Sequence, residues 1–195
     1  MRAPLDITDA ELAVAARQGD QDAFAHIMRR HKGWLYQFIR RYVADKDDAY
    51  DVLQESFVSA WGALSRFDPE RPLEAWLRRI ALNKCRDRAR RGAVRRAALS
   101  VLGWLGAQTE QTPTAEHRAA ADQALKRLDA AIGNLPLALK EPLVLTMLEG
   151  MSHKDAGEML GINAKAVETR LYRAKKQLAA VLDPSDLSDL TGRGE

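Results

Sequence analysis

The sequence has few of the residues that break helices or cross-link a chain. Its 195 residues include one cysteine, 12 glycines and 7 prolines. The single cysteine, Cys85, excludes an internal disulfide and is typical of proteins from a reducing cytoplasm. We interpret it as a small helix residue rather than a reactive thiol. Sparse glycine and proline within runs rich in Leu, Ala, Arg, Glu and Lys predict an all-α protein.

The sequence also lacks long apolar runs and catalytic signatures. No stretch of about 18 apolar residues occurs, so we expect no membrane insertion. The start, Met1 to Asp6, lacks the basic-then-apolar pattern of a signal peptide, and we expect a cytoplasmic protein. No phosphate-binding glycine loop, nucleophile elbow or metal signature is found, and His26 and His31 are a poor metal pair. We therefore predict no cofactor, no metal, no catalytic residue and no small-molecule substrate.

Positive charge is concentrated in two separate segments. The net charge is +3, yet residues 65–98 hold 11 basic and 4 acidic side chains, and residues 151–182 hold 6 basic and 3 acidic ones. The remaining segments are net acidic. Two basic segments, each on a helix with an apolar opposite face, indicate two contacts with a polyanion such as nucleic acid.

Helical periodicity and break signals divide the chain into two domains. We predict a helical domain at 9–91, a flexible linker at 92–118, a second helical domain at 119–182 and an acidic tail at 183–195. Gly92 is expected to be the first of several interruptions to any long helix in the linker. An apolar patch at 99–105 predicts that part of the linker docks onto another surface.

Some helix boundaries are predicted by single residues. Thr8 or Asp9 is placed to cap the first helix, and Asp20 the second. Pro142 is expected in the first turn of its helix, where proline is tolerated.

The helix that begins near Leu73 carries most of the first basic segment. At 100° per residue, its apolar side is predicted to hold Leu73, Trp76, Leu77, Ile80 and Lys84. Its basic side is predicted to hold Arg78, Arg79, Arg86 and Arg90. Leu82 falls on that basic side, where an apolar residue is not expected.

Residues 151–178 have the pattern of a helix-turn-helix. Ser152 and Asp155 predict a capped first helix. Gly161 is the residue type that best tolerates positive φ just past a helix end. Ile162 is placed to fill the angle between the helices, and Asn163 to cap the second one.

The second helix of this motif has an apolar face and a basic face. The apolar side holds Val167, Leu171, Ala174 and Leu178. The outer side holds Lys165, Thr169, Tyr172, Arg173 and Lys176. In the major groove, Arg and Lys bond guanine acceptors or phosphates, and Thr contacts a base edge or methyl group. DNA binding is therefore predicted.

Three segments, in this order, resemble the extracytoplasmic-function (ECF) sigma factors of the sigma-70 family. The first, Asp48 to Trp61, is similar to the region-two helix that binds the clamp helices of the polymerase β′ subunit. Tyr50 stands where the family usually has Glu. The resemblance therefore implies contacts to core polymerase by Asp51, Gln54 and Glu55.

The second segment, Ala75 to Asp87, resembles the helix that meets the −10 element. The preceding loop lies where such sigma factors capture a flipped-out base. Implied −10 contacts are Phe67, Asp68, Arg78, Arg79, Asn83, Arg86 and Arg90. The third segment, the helix-turn-helix, resembles the region-four reader of the −35 element. Its Asp155-Ala156-Gly157 departs from the usual Glu-Ile-Ala, which predicts looser packing of the first helix.

The resemblance implies an alternative sigma factor that binds RNA polymerase core, at the β′ clamp helices and the β flap, and directs initiation at specific promoters. It also implies a stress or envelope response and inhibition by an anti-sigma factor. One alternative is a free-standing regulator, whose sensor or dimerisation domain would occupy residues 1–118. The acidic helix and the first basic helix fit that arrangement poorly. The other alternative, an enzyme, has no motif to support it.

Overall fold

The computed structural model describes residues 7–101, 127–128 and 130–181, and every regular element in these ranges is a helix. The chain divides into two units, residues 1–104 and residues 105–195. The predicted all-α fold with two domains is confirmed.

The described part of the first unit contains four α-helices and one 3-10 turn. In chain order they are α1 (Asp9–Arg17), α2 (Gln21–Arg40), α3 (Lys46–Ala63), the 3-10 turn (Leu64–Arg66) and α4 (Leu73–Val101). Helices α2, α3 and α4 pack on one another, and α1 packs on α2. Their shared core is built from large apolar side chains, among them Ile27, Leu35, Phe38, Ile39, Val52, Phe57, Leu77 and Leu82.

Local hydrogen bonds define the starts of the first three helices. Thr8 Oγ1 accepts from the backbone N–H of Glu11 at 3.2 Å, and Glu11 Oε2 accepts from the N–H of Thr8 at 2.8 Å. This is a capping box. Asp20 accepts a backbone N–H three residues ahead at 3.0 Å, and Asp45 does the same at 2.9 Å. The predicted caps at Thr8 and Asp20 are confirmed.

Helix α4 is rotated relative to the predicted arrangement. The buried side chains are Leu73, Leu77, Ala81, Leu82 and Cys85, whereas Trp76, Ile80 and Lys84 are partly exposed. Leu82 is 1% exposed, so its assignment to the basic side was wrong. The reason is that α4 packs against both α2 and α3, which widens its buried side beyond a single apolar stripe.

Helix α4 also continues past the predicted end of the first domain. It runs to Val101 without a break at Gly92, so the prediction that Gly92 interrupts the helix was wrong. One glycine costs a helix only about 1 kcal/mol relative to alanine. The Ala- and Arg-rich residues around it propagate the helix regardless. Residues 102–126, the apolar patch beyond 101 and the acidic tail lie outside the described residues.

In the second unit, residues 127–128 and 130–134 are helical. They are followed by α5 (Leu137–Leu143), a π-helical turn (Val144–Leu148), α6 (His153–Leu160) and α7 (Ala164–Ala179). The core of this unit includes Leu135, Leu143, Leu171, Ala174 and Leu178.

Helix α5 begins at Leu137, so Pro142 is its sixth residue and lies in the second turn, not in the first turn as predicted. Proline lacks an N–H and its ring collides with the preceding turn of a regular helix. The helix continues into the π-helical turn immediately after the proline. Thr146 Oγ1 donates to the Pro142 carbonyl at 2.7 Å.

The helix-turn-helix has the predicted caps. Ser152 Oγ accepts from the N–H of Asp155 at 3.1 Å, Gly161 has φ +71°, and Asn163 Oδ1 accepts a backbone N–H of α7 at 2.7 Å. These three residues fix the end of one helix and the start of the next. The predicted helix–turn–helix is confirmed.

The predicted loose packing of α6 was wrong. A Cβ added at Gly157 would lie 2.6 Å from the carbonyl oxygen of Ile162, and Ala156 is fully buried. The turn backbone therefore comes so close to α6 that only glycine fits without a shift. The small residues Ala156 and Gly157 thus allow the backbone of the turn to approach α6 closely, and they do not leave empty space in the packing.

Candidate nucleic-acid and polymerase interfaces

The outer face of α7 is held outward by the packing of its inner face. Val167, Leu171, Ala174 and Leu178 are buried, as predicted. The five outer residues nominated from the sequence are all exposed: Lys165, Thr169, Tyr172, Arg173 and Lys176. The helix therefore presents one continuous polar and basic surface to solvent.

Contacts within this surface differentiate its side chains. Lys165 Nζ donates to Glu168 Oε2 at 2.8 Å, and that bond holds the pKa of the Glu168 carboxyl below its usual value. The Thr169 hydroxyl donates to the Lys165 carbonyl at 2.8 Å, which leaves its oxygen as an acceptor. Tyr172 is 69% exposed. The positive charge available to a polyanion is thus concentrated towards Arg173 and Lys176.

On α4, the residues nominated for DNA contact fall into two groups. Arg79, Asn83 and Arg90 are exposed, and Arg86 is partly exposed. Arg86 Nη1 donates to Asn83 Oδ1 at 3.2 Å, which places a guanidinium beside an amide. Arg90 pairs with Asp87 in the turn before it. These four side chains form the polar face of α4.

Arg78 belongs to the other group. Its guanidinium lies 5.2 Å from the ring centre of Trp34 and 5.8 Å from that of Phe38, both on α2. Burial lowers the pKa of Arg78, partly offset by Glu74. The sequence placed Arg78 on the same side as Arg79, but the rotation of α4 turns it towards α2.

The loop before α4 also differs from its predicted role. Phe67 is only 4% exposed, and its ring centre lies 5.0 Å from that of Trp76. In this conformation Phe67 is a core residue and cannot meet a base. Asp68 is exposed; it accepts the N–H of Glu70 at 3.1 Å and pairs with Arg71 at 3.5 Å. Of the two nominated loop residues, only Asp68 is accessible.

The polar and acidic side chains of α3 point in two directions. Asp51 and Gln54 are exposed and face solvent. Glu55 faces α4, where its Oε2 lies 3.3 Å from Arg91 Nη2. Asp48 pairs with Arg88, and this hydrogen bond raises the pKa of Arg88. Sequence inspection missed both pairs, since they join residues 36 and 40 positions apart.

A row of exposed side chains beside Gln54 was also missed. Tyr50 is 52% exposed, Val58 73% and Trp61 39%. The Tyr50 ring stacks on Tyr36 of α2 at 4.4 Å. The spacing of Tyr50, Gln54, Val58 and Trp61 is i, i+4, i+8 and i+11, which places them on one helix face and was visible in the sequence. We call these four residues the α3 outer row.

Across the residues that the structure describes, no three His, Cys, Asp or Glu side chains are grouped so as to hold a metal ion. Within the same ranges, no helix has both the length and the apolar character needed to cross a membrane. Cys85 is 2% exposed.

Known proteins match most of the chain. Residues 27–95 match Sigma-70 region 2, and residues 125–178 match Sigma-70, region 4. The RNA polymerase sigma factor CnrH of Cupriavidus metallidurans is 41% identical over 180 residues, which cover 90% of this chain and 94% of CnrH. The ECF RNA polymerase sigma factor SigM of Mycobacterium tuberculosis is 31% identical and covers 90% of this chain and 85% of SigM. The chain belongs to the ECF sigma factors of the sigma-70 family.

A solved structure supports the same assignment. CnrH in complex with the cytosolic domain of CnrY is similar to this ECF sigma factor with a TM-score of 0.61 and 37% identity. The match covers 88% of this chain and 95% of that one. The predicted family is confirmed, and α3, most of α4 and nearly all of α7 lie within the two matched regions.

Proposed function

We propose that this ECF sigma factor directs RNA polymerase to promoters by reading two DNA elements with its two units. The α7 outer face contacts the −35 element. The polar face of α4, with Asp68 beside it, contacts the −10 element. The observation that supports this most directly is that both faces are exposed and basic while an apolar core fixes the opposite side of each helix. A fixed backbone with adaptable basic side chains is what groove recognition requires.

We propose that Asp51 and Gln54 contact the β′ clamp helices of core polymerase. Both are exposed, and Gln54 lies in the α3 outer row, whose aromatic and apolar side chains extend the surface beyond the acidic residues. Mixed polar and aromatic surfaces of this kind are typical of protein interfaces. The second unit would contact the β flap.

Regulation by an anti-sigma factor is the third part of the proposal. It is supported by the solved complex of CnrH with the cytosolic domain of CnrY. Such a partner would hold this protein inactive in the cytoplasm until a stress or envelope signal releases it. The protein itself would supply recognition and no catalytic group.

The two DNA contacts are tested on holoenzyme reconstituted from the full chain and core polymerase. The probe is a promoter fragment selected by the parental holoenzyme from a randomised library, hereafter the selected promoter. Arg173→Ala should weaken −35 recognition by about 1–3 kcal/mol if it reads a base. Lys175→Ala is the matched control, because it removes the same charge from a neighbouring face of α7.

Asn83→Ala should instead weaken −10 recognition and strand opening, measured by permanganate reactivity of unpaired thymines, and leave −35 binding unchanged. If both Arg173→Ala and Asn83→Ala act only on −35 binding, the division of labour between the units fails. Tight and specific binding of the selected promoter by the chain without core polymerase would favour a free-standing regulator.

Core binding is tested with the double variant Asp51→Ala, Gln54→Ala. Its affinity for core polymerase should fall, because two exposed acceptors are removed from the proposed contact. Asp22→Ala, an exposed acidic residue of α2, is the control and should bind as the parent does. Equal affinity of the double variant and the parent would show that this part of α3 does not contact the clamp.

A further inference from the structure

A continuous series of side-chain contacts runs from the start of α1, across α2, to α4. It begins at Asp9, the first residue of α1, whose two carboxylate oxygens contact consecutive residues of α2. Oδ1 accepts from Arg30 Nη1 at 2.5 Å, and Oδ2 lies 3.0 Å from His31 Nε2. The second contact is a close approach that lacks the geometry of a hydrogen bond. Arg30 also donates to the Ile7 carbonyl at 3.0 Å.

The next member of the series is His31, which is 2% exposed. Its Nδ1 accepts a hydrogen bond from Trp34 Nε1 at 2.8 Å. An indole nitrogen can only donate, so His31 Nδ1 is the acceptor of this hydrogen bond. The His31 ring is therefore held by Trp34 through this bond and an edge-to-face ring contact, and Asp9 lies against its other nitrogen. In turn, the His31 ring fixes the plane of the Trp34 indole one turn further along α2.

The face of that indole carries Arg78. The guanidinium lies 5.2 Å from the Trp34 ring centre and is also near Phe38. A guanidinium over aromatic rings is held by cation–π attraction and by stacking. Arg78 is partly buried at this position, whereas the next residue, Arg79, is exposed. One arginine thus faces α2, and its neighbour faces solvent.

We infer that Arg78 is a positioning residue for −10 recognition: through Trp34, His31 and Asp9 it sets the rotation of α4 that presents Arg79 and Asn83 to DNA. This inference rests on the proposed role of α4. It also gives α1 a part in promoter recognition without any contact to the promoter. A rotation of α4 by one residue's angle would turn Arg79 away from the DNA, because successive side chains are 100° apart.

The test separates positioning from direct contact by salt dependence. Each phosphate contact to single-stranded DNA contributes about 0.7 to the slope of log affinity against log salt. The measurement uses full-length chain with core polymerase and a fluorescent single-stranded oligonucleotide carrying the −10 sequence of the selected promoter. Arg79→Met should weaken binding and reduce the slope. Arg78→Met should weaken binding about fivefold, as expected for one lost cation–π contact, with the slope unchanged.

Arg78→Lys provides a second variant that retains the charge. Lysine lacks the planar guanidinium, so a positioning role predicts that binding stays weaker than in the parent. A phosphate contact predicts near-parental binding by Arg78→Lys and a reduced slope for Arg78→Met, and either result would overturn the inference. Parental affinity of Arg78→Met would overturn it as well.

The series itself is tested by combining Asp9→Asn with Arg78→Met. If both act through Trp34, the double variant should lose no more affinity than the Arg78 variant alone, whereas additive losses would show that Asp9 acts independently. If Arg78→Met and Arg79→Met both bind the oligonucleotide as the parent does, the proposed −10 role of α4 fails. If only Arg79→Met weakens binding, that role stands and the positioning inference alone fails.

Discussion

Replacing Gly157 with alanine tests whether the turn of the helix-turn-helix depends on close backbone approach. The substitution introduces the small residue that the family pattern usually has at this position. Residue 157 is helical and its φ is not in the left-handed region, so alanine can adopt the backbone conformation. The added Cβ would nevertheless lie 2.6 Å from the Ile162 carbonyl oxygen and 3.4 Å from Ala164 N.

Two terms of opposite sign determine the outcome. Alanine gains about 1 kcal/mol over glycine inside a helix. Forcing a methyl group into a closely packed site costs about 1–3 kcal/mol. Here the obstructing atoms belong to the backbone and cannot rotate away, so the cost should fall in the upper part of that range. We expect a net loss of stability of about 1 kcal/mol in the second unit.

The assay is backbone amide hydrogen exchange at Val167 and Leu171, which report opening of α7. A loss of about 1 kcal/mol should accelerate their exchange about fivefold. Gly133→Ala is the matched control in the same unit, because residue 133 is helical and a Cβ there meets nothing within 4 Å. It should slow exchange or leave it unchanged. If the amides of α7 exchange as slowly in the Gly157→Ala variant as in the Gly133→Ala variant, the steric reasoning is refuted.

Three further outcomes follow from single contacts. Asn163→Ala should destabilise the second unit by about 1 kcal/mol through loss of the α7 cap, and unchanged hydrogen exchange in α7 would contradict this. Phe67→Ala should destabilise the first unit by about 3–5 kcal/mol, followed by tryptophan fluorescence; lost DNA binding at unchanged stability would restore a direct role for the ring. Glu55→Ala should weaken core binding less than Asp51→Ala in a binding titration, because Glu55 is already paired with Arg91, and the reverse order would contradict that pairing.

Features that depend on a few neighbouring residues were predictable from the sequence. The caps at Thr8, Asp20, Ser152 and Asn163 each need only a short side chain and a backbone N–H three residues ahead, so the local pattern is sufficient. The inner face of α7 was also predictable, because that helix has one buried side and a clear apolar stripe. The helix-turn-helix and its accessible outer residues followed from these two signals.

Features that depend on several packed helices were not predictable. The side on which Leu82 and Arg78 lie is decided by contacts of α4 with α2 as well as α3, which a single helical projection does not contain. Phe67 belongs to a polar loop, but its ring packs against Trp76 of the next helix. Pairs such as Glu55 with Arg91 join positions that are distant in the sequence. Helix α4 continues through Gly92 because the residues around the glycine favour a helix.

The uninterrupted course of α4 has a consequence for how a change of length within this helix would act. Its 29 residues make a rod of about 43 Å, at 1.5 Å for each residue. A coil absorbs an inserted residue with little effect on its ends, but in a helix each insertion advances the exit point by about 1.5 Å and turns it by about 100°. An insertion between 92 and 101 should therefore shift and turn the end of α4 itself, unlike an insertion into a coil.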